Sequence, residues 1–187
     1  MATGHTDPQR RERIIAATLD LIADEGVAGV SHRKIATRAG VPLGSMTYHF
    51  SGIDELLQEA FQRFTDDFVD MWAGHLAGAT DRDQVVEAIA DLVHALSEGP
   101  QRDLVLTQEL YTLAARRPAY RRFTHEWMRR SRVHLEKHFD PSTARQVDAL
   151  IEGLTLHRAL AREPHGRDVT LEAITRITTT RPSAATD

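Results

Sequence analysis

Apolar positions recur at helical spacing along nearly the whole chain, and no stretch alternates as a strand would. A first helix is predicted from about Gln9 to Glu25, with Ile14, Ile15, Leu19, Leu21 and Ile22 on its apolar side and Gly26 at its end. Two much shorter helices follow between Ser31 and Phe50. The next carries Leu56, Leu57, Phe61, Phe64, Phe68, Met71 and Trp72, and Ser51 is its expected cap, with Asp54 at the third position and Glu55 beside it. Asp81 caps a helix running through Leu96, and Gly99-Pro100 breaks the pattern. Further helices are expected from Arg102 to Arg116, from Pro118 to His138, from Asp140 to Arg162 and from Thr170 to Ile177. Residues 1–8 read as a flexible lead and residues 181–187 as a disordered tail. The expected fold class is all-α, with about nine or ten helices.

The stretch from Val30 to Leu57, VSHRKIATRAGVPLGSMTYHFSGIDELL, is the most specific. Ser31 is suited to cap the first of its short helices, and Ile35, Ala36 and Ala39 give that helix one apolar side. Gly40 sits where a helix end calls for a residue tolerant of positive φ. Pro42 suits the first turn of a second short helix ending near Phe50. This is helix-turn-helix grammar, in which the second helix enters the major groove of DNA. A helix lying in the groove needs small or hydrogen-bonding residues, and Gly44, Ser45 and Thr47 supply them. Leu43 or the Thr47 methyl can meet a thymine methyl, while Tyr48 and His49 offer groups for phosphates. Met46 and Phe50 are expected to face inward. Ser31, His32 and Arg33 begin the helix that crosses the phosphate backbone.

With the preceding helix included, residues Arg13 to Leu57 resemble the N-terminal domain of the TetR family of transcriptional regulators: RIIAATLDLIADEGV, the IATRAGV turn, GSMTYHF and DELL follow in the family's order. Two positions depart from the family pattern. Thr47 stands where many members carry tyrosine, and Ile53 stands where a lysine would touch phosphate, so that contact is not carried over. The backbone N–H groups at that helix start remain suited to phosphate. The resemblance implies an N-terminal three-helix helix-turn-helix domain, residues 1–50, followed by a helical ligand-binding and dimerisation bundle, residues 51–180. It also implies a small-molecule inducer held within that bundle.

Composition adjusts this picture little. The chain has 187 residues, 27% of them charged and 41% hydrophobic, which is ordinary for a globular protein. It has no cysteine, so disulfides and thiol chemistry are excluded. No apolar run reaches the roughly 18 residues of a membrane span, and no signal peptide is evident, so a cytoplasmic protein without a membrane partner is expected. A net charge of −4 is unusual for a DNA binder. Residues 1–50 are nevertheless slightly basic, through Arg10, Arg11, Arg13, Arg33, Lys34 and Arg38, and such an edge binds phosphate in a salt-sensitive way.

The aromatic residues Phe61, Phe64, Phe68 and Trp72, with Tyr111, Phe123, Trp127 and Met128, are either ordinary core or the walls of one apolar cavity. Phe64, Phe68, Trp72, Gln108, Tyr111, Thr112, Trp127 and His157 are the candidate ligand contacts, with Glu109 as a further polar group. The stripes Val147, Leu150, Ile151, Leu154, Leu160 and Leu171, Ile174, Ile177 suit a four-helix contact between two subunits, or the core of one. A homodimer is expected on separate grounds, because one helix-turn-helix reads only a half-site of a double-stranded operator. His134 and His138 are four apart but lack further ligands, so no metal is assigned. The arginines Arg116, Arg117, Arg121, Arg122, Arg129, Arg130 and Arg132 read as a solvated face paired with Glu109, Glu126 and Glu136. No phosphate loop, nucleophile elbow or HExxH motif is present, so neither catalytic residues nor cofactors are assigned. The expected function is a ligand-responsive repressor. A constitutive DNA binder and a helical protein-interaction module remain as alternatives.

Overall fold

The computed structural model describes residues 9–179; the expected lead at 1–8 and the tail at 181–187 lie outside the described residues. Among the described residues there are nine α-helices, two 3₁₀ turns and no strand. The helices are α1 (Arg10–Glu25), α2 (His32–Ala39), α3 (Gly44–His49), α4 (Ile53–Leu76), α5 (Arg82–Glu98), α6 (Gln101–Arg116), α7 (Arg121–Leu135), α8 (Pro141–Leu160) and α9 (Arg167–Thr179). The 3₁₀ turns are Val27–Gly29 and Pro118–Tyr120. None of the helices is long and apolar enough to cross a membrane.

The chain packs as two units, Met1–Asp66 with Gln101–Thr124 and Asp67–Pro100 with His125–Asp187. The unit holding the helix-turn-helix is therefore larger than residues 1–50. It takes in the first part of α4 and all of α6, because α6 packs along α1. Its interior is built from Ile14, Ile22, Ile35, Met46, Leu56, Phe61, Leu106, Leu110 and Tyr120, all fully buried. Arg102 on α6 pairs with Asp20 on α1 at 3.0 Å. Further along α6, the Glu109 carboxylate accepts the Val27 backbone N–H at 3.0 Å. It lies only 3.0 Å from where a Cβ on Gly26 would stand, and Gly26 has φ +71°. The left-handed φ favours glycine there, and a larger residue would also press on the Glu109 carboxylate.

In the second unit, α5 is the central helix and α8 and α9 pack against it and each other. Val85, Ile89, Leu92 and Val93 meet Leu135, Ala144, Val147, Ile151 and Ile174 in one core. This corrects the subunit-contact reading for part of both stripes. Val147, Ile151 and Ile174 are buried inside the chain's own unit, since α5 covers them, and Leu150, Leu154, Leu171 and Ile177 are partly buried against the same core.

The local signals explain most helix boundaries. Asp81 caps α5 by accepting the Gln84 N–H at 2.9 Å, and Asp140 caps α8 through the N–H groups of Ser142 and Thr143. Gly40 ends α2 at φ +64°, in the left-handed region, and its N–H reaches the Thr37 carbonyl at 3.3 Å. No atom lies within 4 Å of a Cβ built on Gly40, so its replacement is a purely conformational test. Gly40→Ala should cost about 1 kcal/mol in denaturant unfolding, and Gly40→Asn less, because asparagine tolerates this region better. An unchanged midpoint for Gly40→Ala would show that the turn can relax.

Among the boundaries that differ from expectation, two lie in and just after the helix-turn-helix. Helix α3 begins at Gly44 rather than at Pro42, leaving Pro42 and Leu43 to accept the first N–H groups, from Ser45 and Met46. Ser51 does not cap α4 with Asp54. Instead its N–H and hydroxyl both donate to Glu55, at 2.6 and 2.5 Å, which holds the Glu55 carboxyl below its ordinary range. Asp54 is drawn to other partners described below.

Candidate functional site

Helix α2 packs on α1 and α3 packs on α2, and Ile35, Ala36, Met46 and Phe50 are all buried. Anchoring those four residues turns the opposite side of α3 outward. Leu43 is 51% exposed and Tyr48 79%, and Gly44 and Thr47 are exposed with them. The Thr47 hydroxyl donates to the Gly44 carbonyl at 3.2 Å, which leaves its methyl outward. Nothing lies within 4 Å of a Cβ placed on Gly44, so a surface can approach the backbone closely there. The rings of Tyr48 and His49 meet edge to face, with centroids 4.9 Å apart, which orients the exposed phenol.

Other expected DNA contacts are placed differently. Ser45 is only 8% exposed, unlike its neighbours Gly44 and Thr47. His32 is half-buried and its Nε2 is shut from solvent with no hydrogen-bond partner among the described residues, so that nitrogen does not face outward. The half-buried His49 ring packs against both Tyr48 and Phe50. Ser31 and Arg33 are exposed as expected, and the Ser31 hydroxyl accepts the Lys34 N–H at 3.4 Å.

The expected basic edge is partly neutralised, at Arg11, Lys34 and Arg38. Lys34 pairs with Glu25, Arg38 with Asp24 at 2.9 Å, and Arg63 with Glu12 at 2.9 Å. Arg11 pairs with Glu59 and lies over the Phe50 ring, 5.2 Å from its centroid. Exposed pairs contribute little stability. Their effect is to lower the charge presented to phosphate, leaving neutral donors a larger share of the contact.

Sequence reasoning missed the anchor that holds the start of α4. Tyr120 is fully buried, and its hydroxyl donates to Asp54 Oδ1 at 2.8 Å while Arg117 donates to the same oxygen at 3.0 Å. Burial, with the Asp54 carboxylate second, raises the Tyr120 hydroxyl well above its ordinary pKa, so it stays a donor. The available signal was Pro118, which sets up the turn that aims Tyr120 inward. Glu109 serves as the Val27 acceptor rather than as a partner for an arginine.

The expected single aromatic wall divides between the units. In the first unit Phe61 meets Tyr120 edge to face at 6.4 Å, and Tyr120 meets Phe123 at 5.8 Å. Phe64 is buried in this unit, Gln108 and Tyr111 are half-buried, and Thr112 is exposed. In the second unit Phe68 meets Trp127 edge to face at 4.8 Å, with Trp72 buried one turn beyond Phe68. His157 is exposed on α8. Thr112 and His157 are thus the two exposed members of the expected ligand set.

The arginines are paired, though mostly with other acids than expected: Arg117 with Asp54, Arg129 with Glu126, Arg130 with Asp70 and Arg132 with Asp148. Helix α7 ends at Leu135, so His134 and His138 do not share a helix face. Among the described residues no three His, Asp or Glu side chains gather as a metal group.

Two families match the chain. "Bacterial regulatory proteins, tetR family" covers residues 14–60, and "Tetracyclin repressor-like, C-terminal domain" covers residues 80–180. HTH-type transcriptional regulator BetI 1 of Chromohalobacter salexigens is 31% identical over 171 residues, covering 87% of this chain and 84% of that protein. The crystal structure of SCO7518 from Streptomyces coelicolor A3(2) is 79% identical with a TM-score of 0.89, covering 92% of this chain and all of that one. The multidrug binding protein EbrR in complex with ethidium is 32% identical with a TM-score of 0.78, covering 91% and 99%. EbrR complexes with malachite green and proflavin match as well.

Proposed function

The chain belongs to the TetR family of transcriptional regulators, and from that premise we propose that it is a homodimeric repressor released from a palindromic operator by a small-molecule inducer. It is a DNA-binding regulator and not an enzyme. The observation that carries the reading is the outward side of α3. Leu43, Gly44, Thr47 and Tyr48 are exposed together while Met46 and Phe50 fasten the same short helix from behind. That arrangement suits base and phosphate contact in a major groove. We assign DNA contact to Ser31, Arg33, Leu43, Gly44, Thr47 and Tyr48. The operator also sets the location, the bacterial cytoplasm.

One head reads one half-site, so two copies are needed for specific binding. The outer sides of α8 and α9 are the proposed contact, since Leu160 and Val169 are 66% and 45% exposed there. Ligand binding is supported by the EbrR complexes and by the aromatic residues Phe68, Trp72 and Trp127 of the second unit. Helix α4 runs unbroken from Ile53 to Leu76 and so carries both Asp54 and Phe68. Ligand acts by population shift, favouring a state in which the two heads no longer match successive major grooves. Replacing Phe68 by tryptophan should shift the inducer concentration that releases DNA more than it shifts ligand-free affinity; equal changes would remove α4 from the mechanism.

The direct experiment is selection of bound duplexes from a random DNA library by the purified chain. An enriched inverted repeat supports a dimeric operator reader. A single half-site would mean a monomeric head, and no enrichment at low salt would shift weight to a protein-interaction role. An inverted repeat whose binding no added compound weakens would favour the constitutive reading.

A further inference from the structure

Within the second unit, four buried polar atoms have no hydrogen-bond partner among the described residues, and two of them, Trp72 Nε1 on α4 and Ser131 Oγ on α7, stand on the helices that carry Phe68 and Trp127; the other two, Thr155 Oγ1 and Arg158 Nε, are on α8. Trp72 is 4% exposed and Ser131 1%. Buried donors are nearly always paired, and an orphan costs more than a bond contributes. The two lie in one seam. Phe68 touches Trp127 at 4.8 Å, and Trp72 and Ser131 each follow one helical turn later on the same sides. The pairing of Asp70 with Arg130 at 3.9 Å, between those two levels, shows that α4 and α7 run in the same direction here. The charged neighbours are already matched, since Arg130 faces Asp70 and Arg132 faces Asp148 at 3.2 Å. The seam therefore presents aromatic surface and two neutral donors, beside charged neighbours that pair with one another.

We infer that this seam binds a planar aromatic molecule carrying a carbonyl oxygen, which accepts from Trp72 Nε1–H and Ser131 Oγ–H while the rings of Phe68 and Trp127 hold its plane. An indole N–H can only donate, so its partner must be an acceptor. The dyes bound by EbrR are aromatic cations; ethidium and proflavin bear amino donors, and none of the three carries a carbonyl oxygen. This chain should therefore prefer a different chemical class from EbrR. The inference rests on the proposed ligand-binding role and specifies its chemistry.

The test uses the full chain and three probes: menadione, a planar carbonyl compound; 2-methylnaphthalene, of similar shape without an acceptor; and proflavin. The chain has no cysteine, so menadione cannot form thiol adducts. It also has only two tryptophans, so the indole N–H signals in a ¹H–¹⁵N spectrum are assignable by Trp127→Phe. Menadione should bind about tenfold more tightly than 2-methylnaphthalene, and its binding should move the Trp72 indole proton downfield. In Ser131→Ala the ratio of the two affinities should fall toward one. Equal affinities with a stationary indole signal would assign both donors to a buried water and overturn the inference. Proflavin or 2-methylnaphthalene binding without menadione binding would overturn the carbonyl class and leave the ligand-binding role standing. Binding of none of the three would overturn both.

Discussion

Tyr48→Ala should lower affinity for the selected operator by about two orders of magnitude, because the dimer gives up an interaction worth about 1–3 kcal/mol at each half-site. Tyr48 is the most exposed of the large apolar side chains, at 79%, and it has no packing role beyond its edge contact with His49. The variant should therefore unfold within about 0.5 kcal/mol of the native chain. Tyr48→Phe separates the parts of the effect. It keeps the ring and removes the hydroxyl, and a loss of about tenfold would assign the hydroxyl to phosphate. Neither variant should change the salt dependence of binding, since no charge is removed. Arg33→Ala should instead reduce the slope of log affinity against log salt by about one for each phosphate that the guanidinium neutralises. The check is fluorescence anisotropy with labelled operator over a salt series. Native affinity in Tyr48→Ala would remove α3 from the interface.

The second large effect concerns stability. Arg132 and Asp148 form a nearly buried pair, with side chains 14% and 13% exposed. Burial pushes the Asp148 carboxyl up to about 6, against the opposing pull of Arg132, so desolvation outweighs the attraction. A folded-state pKa above the unfolded one means that Asp148 favours folding at low pH, where it is protonated. That contribution is lost as pH rises from about 4 through about 6. Arg132→Met leaves the carboxylate buried without a partner and should cost about 3 kcal/mol at pH 8. The loss should shrink below pH 6, as the carboxyl takes up its proton. Replacing both, Arg132→Met with Asp148→Leu, should restore native stability to within about 1 kcal/mol or exceed it. Denaturant unfolding at pH 5 and pH 8 reads both variants against the native chain. A single variant losing equally at both pH values would show that lost packing by the arginine stem, and not charge, sets the cost.

Much of the site was legible because its signals are local. A cap needs an acceptor within three residues of the groups it satisfies, so Ser31 and Asp81 could be read directly. Gly40 was legible for the same reason, since the left-handed turn is a property of one residue. Ser45 was not. Helix α3 has only six residues, too few for a periodic pattern to say which side is covered. The start of α4 was legible as a helix but its wiring was not. Ser51 chose Glu55, and Asp54 was taken by Tyr120 and Arg117, which stand more than sixty residues away in sequence.

The same divide holds for the whole protein. By itself the sequence determined the helical class, the order of the elements, the helix-turn-helix and, through the succession of motifs from Arg13 to Leu57, the family. Period, caps and turn residues act over a few positions, and their free energies are present before distant parts of the chain meet. Only the tertiary structure decided which apolar stripes became core. Val147, Ile151 and Ile174 look as available for a partner as Leu160 does until α5 covers them. It also decided that Lys34, Arg38 and Arg11 of the basic edge pair with Glu25, Asp24 and Glu59, and that Trp72 and Ser131 keep buried donors without partners among the described residues. Burial and pairing depend on what arrives from elsewhere in the chain, and local pattern carries no record of that arrival.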